Sequence, residues 1–389
     1  IQGDTVAANG SATLTAATRN KGTSATTVTG SLMLASAGLL DWGRLNAATS
    51  MDVRANGAVD LTTATSGATM KIRSSGGAVS LGAATSGGSQ EIRAASNVVF
   101  TDLAANGTAA GDVGNITVTA DAGAIQGNTV VANGSAALMA ATNNKGSSAT
   151  ATTGPLMLAS VGVTDWGALN AGTSIDAYAT GAINLATTAS GTTTNLRSSG
   201  GAVALGAATS GGSQTIRAAN DVSFTVLKTN GISGDTGNVT VTADDGAIRG
   251  GVVTTHGSAA LTAATDNTGD MLTATTGDIS LHAGGLIDWD VIKADRAISA
   301  GSTGGSVRFG TAVSGGSQTL QAYNDVVFGH LEAGDAASDS VRIDLRAING
   351  QVRGGDILTR GDVSLAGKTD LTLETLRGGS VILTAPHDI

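Results

Sequence analysis

The chain has no cysteine, two prolines, 2% aromatic residues and 13% charged residues over its 389 positions. Each shortage removes a class of answer. Without cysteine there is no disulfide framework, and the compartment stays open. A cysteine-free chain suits the cytosol, and equally an exported protein that crosses a narrow pore unfolded. With so few aromatics the interior must be filled by Val, Ile, Leu and Ala, which suits a narrow cross-section. No apolar run is long enough to span a bilayer. No basic cluster offsets the net charge of −9 and the pI near 4.8, so nucleic acid and anionic membrane surfaces are poor partners. The 3.6-residue period is absent over any useful length, so helices should be nearly absent.

Glycine is abundant, at 57 residues, and it sits in repeats. Gly77-Ala-Val-Ser-Leu-Gly-Ala-Ala-Thr-Ser-Gly-Gly-Ser-Gln-Glu-Ile-Arg-Ala-Ala returns almost unchanged from Gly201 and again, more loosely, from Gly305. Asp41-Trp42, Asp165-Trp166 and Asp288-Trp289 are 124 and then 123 residues apart. Copies therefore span 1–124, 125–247 and 248–351, with a partial copy over 352–389. From Trp to the Gly-Gly-Ser-Gln signature is 45 residues in the first two copies and 26 in the third, so 19 residues are missing there.

That deficit matches a smaller period. Gly57-Ala-Val-Asp-Leu recurs 20 residues later at Gly77, and Ser96-Asn-Val-Val-Phe follows after 19. Val59 and Leu61, Val79 and Leu81, Val98 and Phe100 alternate with polar residues, which is strand periodicity with one buried face. A unit of this size cannot bury its apolar face alone, but stacked units can. The expected fold is all-β: a right-handed parallel β-helix (β-solenoid) of about 19–20 coils, read as one continuous piece over 1–389. The handedness rests on the general bias of parallel crossovers. At roughly 4.8 Å per coil it would be a rod about 90 Å long, each copy advancing about 29 Å. Loss of a whole coil in the third copy is tolerable only in such a stack. Because the chain begins and ends in mid-repeat, it reads as an excised piece of a longer protein.

Two turn-rich segments punctuate the coils. Residues 18–27, with counterparts at 142–148 and 265–270, are polar and read as the main protruding loop. Residues 106–115, 230–238 and 333–340 read as a second loop. Leu32 and Leu34 should face inward, leaving Met33 and Met157 outside, and Pro155 belongs to a turn before a strand.

Coils reading Gly-x-Val-x-Leu…Gly-Gly-Ser-Gln-x-Ile-Arg-Ala-Ala resemble the repeat region of filamentous-haemagglutinin-like exoproteins. These are large bacterial adhesins exported by two-partner secretion, and biofilm-matrix adhesins of the CdrA type, which bind an exopolysaccharide, are among them. The resemblance covers essentially the whole chain. It implies an outer-membrane two-partner-secretion transporter and a secreted, cell-surface or biofilm-matrix location. The family's amino-terminal secretion domain, with its Asn-Pro-Asn-type motifs, is absent here.

Trp42, Trp166 and Trp289 are the most specific site candidates, each preceded by an acid: Asp41, Asp165 and Asp288. Exposed, they would form a ladder on which sugar rings stack, with the aspartates accepting hydroxyl hydrogen bonds and repetition supplying avidity. The plain alternative is that each ring covers a coil edge or packs on a neighbouring loop. Arg360-Gly361-Asp362 spells an integrin-type tripeptide, but Gly361-Asp-Val-Ser-Leu is the ordinary coil-start unit, like Gly277-Asp-Ile-Ser-Leu, so it reads as coincidence. Gln90, Gln214 and Gln318 read as structural, their amides satisfying backbone groups beside the glycine pair. The calcium nonapeptide of β-rolls never occurs, and Gly111-Asp112 and Gly234-Asp235 are isolated turns, so neither a metal nor a cofactor is expected. His256, His282, His330 and His387 have no counterparts in the first two copies and form no expected catalytic set.

The expected function is the rod-like shaft of a secreted bacterial surface adhesin. It would contact exopolysaccharide, host glycan or the same filament on a neighbouring cell. The rival is a passive spacer carrying a distal binding or toxin domain, and the most distant alternative is a polysaccharide-degrading β-helix enzyme. A passive spacer should hide the three tryptophans, and an adhesive shaft should show them.

Overall fold

Apolar residues that alternate over five to eight positions need the same pattern on the strand above and the strand below, and a repeat of about twenty residues supplies it. The computed structural model describes residues 1–334 and 341–386. Among them all regular structure is strand, with no helix. Each strand pairs in parallel with its counterpart one turn on, as Val59–Ser66 does with Val79–Ser86 and Met51–Ala55 with Met70–Ser74. The chain is a β-solenoid of about nineteen turns. It divides into two compact units, Ile1–Gly191 and Thr192–Ile389, each built from the same kind of turn.

One turn shows why these residues fold this way. The strand Val59–Ser66 buries Val59, Leu61, Ala64 and Ser66, and the strand Met70–Ser74 buries Met70, Ile72 and Ser74. The long strand is bent: its register runs Val59–Val79, Asp60–Ser80 and Leu61–Leu81, skips Thr62, and resumes at Thr63–Ala83. Two outward residues therefore follow one another at the bend, and inward alternation restarts beyond it. Small residues take the corners, where a hydroxyl serves the backbone. Ser74 Oγ donates to the carbonyl of Gly57 at 2.7 Å and accepts from the amide of Gly77 at 2.9 Å.

The deleted coil behaves as its length requires. In the first copy Trp42, Leu61, Leu81 and Phe100 follow in register, one per turn. In the third copy Trp289 meets Phe309 and then Phe328, so one turn is gone and the ladder closes over the gap.

Residues 106–115 and 230–238 form the expected second loop. Among the described residues the left-handed glycines, Gly107, Gly111, Gly114, Gly231, Gly234, Gly237 and Gly334, all lie in it or its third-copy counterpart. Residues 335–340 of that third loop lie outside the described residues. The first expected loop is corrected. Arg19–Thr27, Asn144–Ala151 and Asn267–Ala274 are strands. Their polar residues misled because the residue taking the first buried place is an asparagine. Met33 and Met157 are exposed as expected, and Pro155 precedes the strand Leu156–Ser160.

Candidate functional site

The three tryptophans are interior, not a surface ladder: their exposures are 1%, 1% and 0% for Trp42, Trp166 and Trp289. Two residues on the preceding turn make this possible. In register beneath each tryptophan is a glycine, Gly22, Gly146 or Gly269. A methyl group there would overlap the indole ring, so the glycine is required by close approach. Two residues before that glycine is a fully buried asparagine, Asn20, Asn144 or Asn267. Its Oδ1 accepts the indole Nε1–H at 3.1, 3.1 and 3.2 Å respectively. Its Nδ2 donates to a carbonyl six residues back: Leu14 at 3.1 Å, Leu138 at 2.8 Å and Leu261 at 3.0 Å. An indole N–H inside an apolar interior needs an acceptor, and the asparagine supplies one without leaving its own amide orphaned.

A second ring leans over the next glycine back. Phe100 fills the space that Gly127 leaves, and Phe224 fills that of Gly250. Each of these two junctions between copies thus stacks Phe, Gly, Gly and Trp inside the coil, the two rings sharing the room left by two missing side chains.

The aspartates beside the tryptophans project the opposite way along the strand, so acid and indole do not form one site. Asp41 pairs with Arg19 at 3.3 Å and Lys21 at 3.1 Å, and Asp165 with Lys145 at 3.9 Å. Partial burial raises the carboxyl of Asp288, Arg308 opposes that in part, and Asp290 adds to it; the net shift is upward.

Arg360-Gly361-Asp362 is a coil start. The amide of Asp362 donates to the carbonyl of Val341 at 3.1 Å, the carbonyl of Gly361 accepts from Gly379 at 2.7 Å, and Asp362 Oδ1 accepts from the amide of Ser380 at 3.2 Å. The tripeptide is therefore held in the ladder and not looped out.

The Gly-Gly-Ser-Gln turn is structural, as expected. Gln90 Nε2 donates to the carbonyls of Ala84 at 3.1 Å and Ala104 at 2.5 Å. Gln214 serves Ala208 and Lys228, and Gln318 serves Ala312 and Glu332, in the same way. The serine of the signature has a role that its sequence did not announce. Ser89 donates its amide to Asp112 Oδ2 at 2.9 Å and its hydroxyl to Oδ1 at 2.5 Å, and Gly114 donates to Oδ1 at 2.9 Å. Asp235 is held alike by Ser213 and Gly237. Burial pushes both carboxyls up, but the serine hydroxyl and the backbone amides outweigh it, and both lie below the usual carboxylate range. The two Gly-Asp turns are thus loop clasps.

His256 meets the carbonyl of Thr236 at 3.2 Å and His282 the hydroxyl of Ser280 at 3.2 Å. His330 lies 3.7 Å from Glu332 and 4.0 Å from Asp356, and His387 is outside the described residues. Among the described residues no three His, Asp or Glu side chains come together as a metal cluster. Comparison with family models, curated proteins and solved structures finds no match for this chain.

Proposed function

We propose that the chain is a shaft: a run of stacked turns that gives length and stiffness to a secreted bacterial surface filament of the filamentous-haemagglutinin-like kind. The observation that supports this reading is where the repeated polar and aromatic residues are used. Trp, Asn, Gln and the loop Asp, the residues a ligand site would be built from, are all engaged in joining one turn to the next. On this reading the shaft reaches the surface through a two-partner-secretion transporter and catalyses nothing. Contact with polysaccharide, glycan or another cell is made by other parts of the filament.

A second reading, in which the shaft itself touches polysaccharide, has one observation in its favour. Tyr178 and Tyr323 are 42% and 44% exposed, and Asp176 stands two residues before Tyr178 on the same strand. An exposed ring beside a carboxylate is the pairing that sugar stacking uses. The experiment that separates the readings is binding of the purified chain to a panel of bacterial exopolysaccharides and host glycans. The shaft reading expects no saturable binding. Saturable binding that disappears in a Tyr178→Ala, Tyr323→Ala variant would replace it with the adhesive reading.

A further inference from the structure

The four turns that enclose the Phe-Gly-Gly-Trp stack differ between the two units on their outer surface, though their interiors are alike. The strands are Val222–Thr229, Ile248–Thr255, Asn267–Ala274 and Ile287–Ala294 in the second unit. Just past the bend of each strand, the outward residues are Val226, Val252, Met271 and Val291, aligned one per turn. The same column in the first unit holds Asp102, Thr129, Ser148 and Ala168. One isolated valine on a strand surface needs no explanation, but here three aligned polar positions are replaced by Val226, Val252 and Met271, and the fourth, Ala168 in the first unit, by the larger Val291.

The flanks of this stripe are sorted by charge. On one side, at the bend, stand Thr225, Gly251, Asp270 and Asp290, whose only charges are acidic. On the other side stand Lys228, Thr254, Thr273 and Lys293, whose only charges are basic. The corresponding flanks of the first unit carry no charge. Asp270, Asp290, Lys228 and Lys293 are all exposed, and among the described residues none has a side-chain ion pair.

We propose that this face pairs with the same face of a second copy of the chain, the two solenoids lying side by side and parallel. A two-fold axis running along the direction of turn stacking lays one valine column against the other. It also sets the acidic flank of each copy against the basic flank of its partner, so the surface is complementary to itself. An axis along the strands would instead make the copies antiparallel and place acid on acid and base on base, which is unfavourable. Four turns span only about 14 Å, so the patch is small and the pairing is weak and concentration-dependent. The pairing stands whether or not the shaft binds a glycan.

The test is sedimentation of the purified full chain over a range of concentrations and salt. The native chain should self-associate, less so at high salt. A Lys228→Glu, Lys293→Glu variant and an Asp270→Lys, Asp290→Lys variant should each associate at least roughly tenfold more weakly. An equimolar mixture of the two should recover the association, since each then supplies the charge the other lacks. That recovery also shows that both variants are folded. Orientation is read from single-cysteine variants, which the cysteine-free chain makes simple. With a short bifunctional maleimide, a Val226→Cys variant, at one end of the stripe, should link to itself, whereas the antiparallel arrangement would hold the two cysteines about 14 Å apart. A chain that is monomeric throughout, variants that associate like the native chain, or a mixture that stays monomeric would each overturn the proposal. A Val226→Cys variant that fails to link to itself would overturn the parallel arrangement.

Discussion

Two kinds of buried amide hold this solenoid, and they differ in one bond. Asn144 on the long strand and Gln214 on the short strand each donate to a carbonyl six residues back, Leu138 and Ala208. Both are essentially inaccessible to solvent. Asn144 Oδ1 accepts from Trp166, whereas Gln214 Oε1 has no donor among the described residues, and the same holds for Gln90 and Gln318. The asparagine is thus one half of a link to the next turn, and the glutamine is a clamp on carbonyls alone. Cost should follow that difference: removing either amide takes a donor from strand carbonyls, but removing the asparagine also strands a buried indole N–H, and an orphaned buried donor is costlier than an under-satisfied carbonyl.

The largest break is Trp166→Ala, which empties the room over Gly146 and leaves Asn144 Oδ1 without its donor. It should cost about 3–5 kcal/mol in denaturant unfolding. Gly146→Ala attacks the same contact from the other side. Its methyl overlaps the indole, so a loss of about 1–3 kcal/mol is expected. In a Trp166→Leu background the same glycine change should cost much less, and a double-mutant cycle reads that coupling directly. Asn144→Leu strands the indole N–H and should cost about 1–3 kcal/mol, while Gln214→Met, which removes an unmatched acceptor together with its donors, should cost clearly less. Equal losses at the two amides would erase the distinction drawn between them.

The smallest effect is at the loop clasps. Asp112 and Asp235 titrate below the usual carboxylate range in the folded chain. Their contribution is therefore fully present above that range and is lost as pH falls through the lowered folded values. Amide protection at Ser89, Gly114, Ser213 and Gly237, taken relative to the intrinsic exchange rate at each pH, should fall on acidification below that range, and Asp112→Asn should lower protection at Ser89 and Gly114 at neutral pH. Exchange that ignores both changes would show that the loops are held by their backbone geometry alone.

The turn itself was legible in the sequence. Val59, Leu61, Met70 and Ile72 alternate, the pattern returns every 19–20 residues, and a missing 19-residue piece had to be one turn. The place of the tryptophans was not, because a repeated Asp-Trp has the same spacing on the surface as in the core. The deciding signal lay 22 residues upstream, where Asn-x-Gly precedes each tryptophan on the turn beneath. They look like a loop because the inward positions of this strand begin with Asn20 and Gly22, and the first apolar buried side chain, Ala25, comes only beyond the bend, so its start shows no apolar alternation. The clasp between Ser89 and Asp112 also escaped, since it joins residues 23 apart across a loop whose geometry depends on left-handed glycines.

The most direct measurement is tryptophan fluorescence of the folded chain with iodide as a quencher. All three indoles should emit at short wavelength and resist quenching, and both properties should vanish together on unfolding in guanidinium. Long-wavelength emission with free quenching in the folded chain would place the tryptophans on the surface and contradict the account.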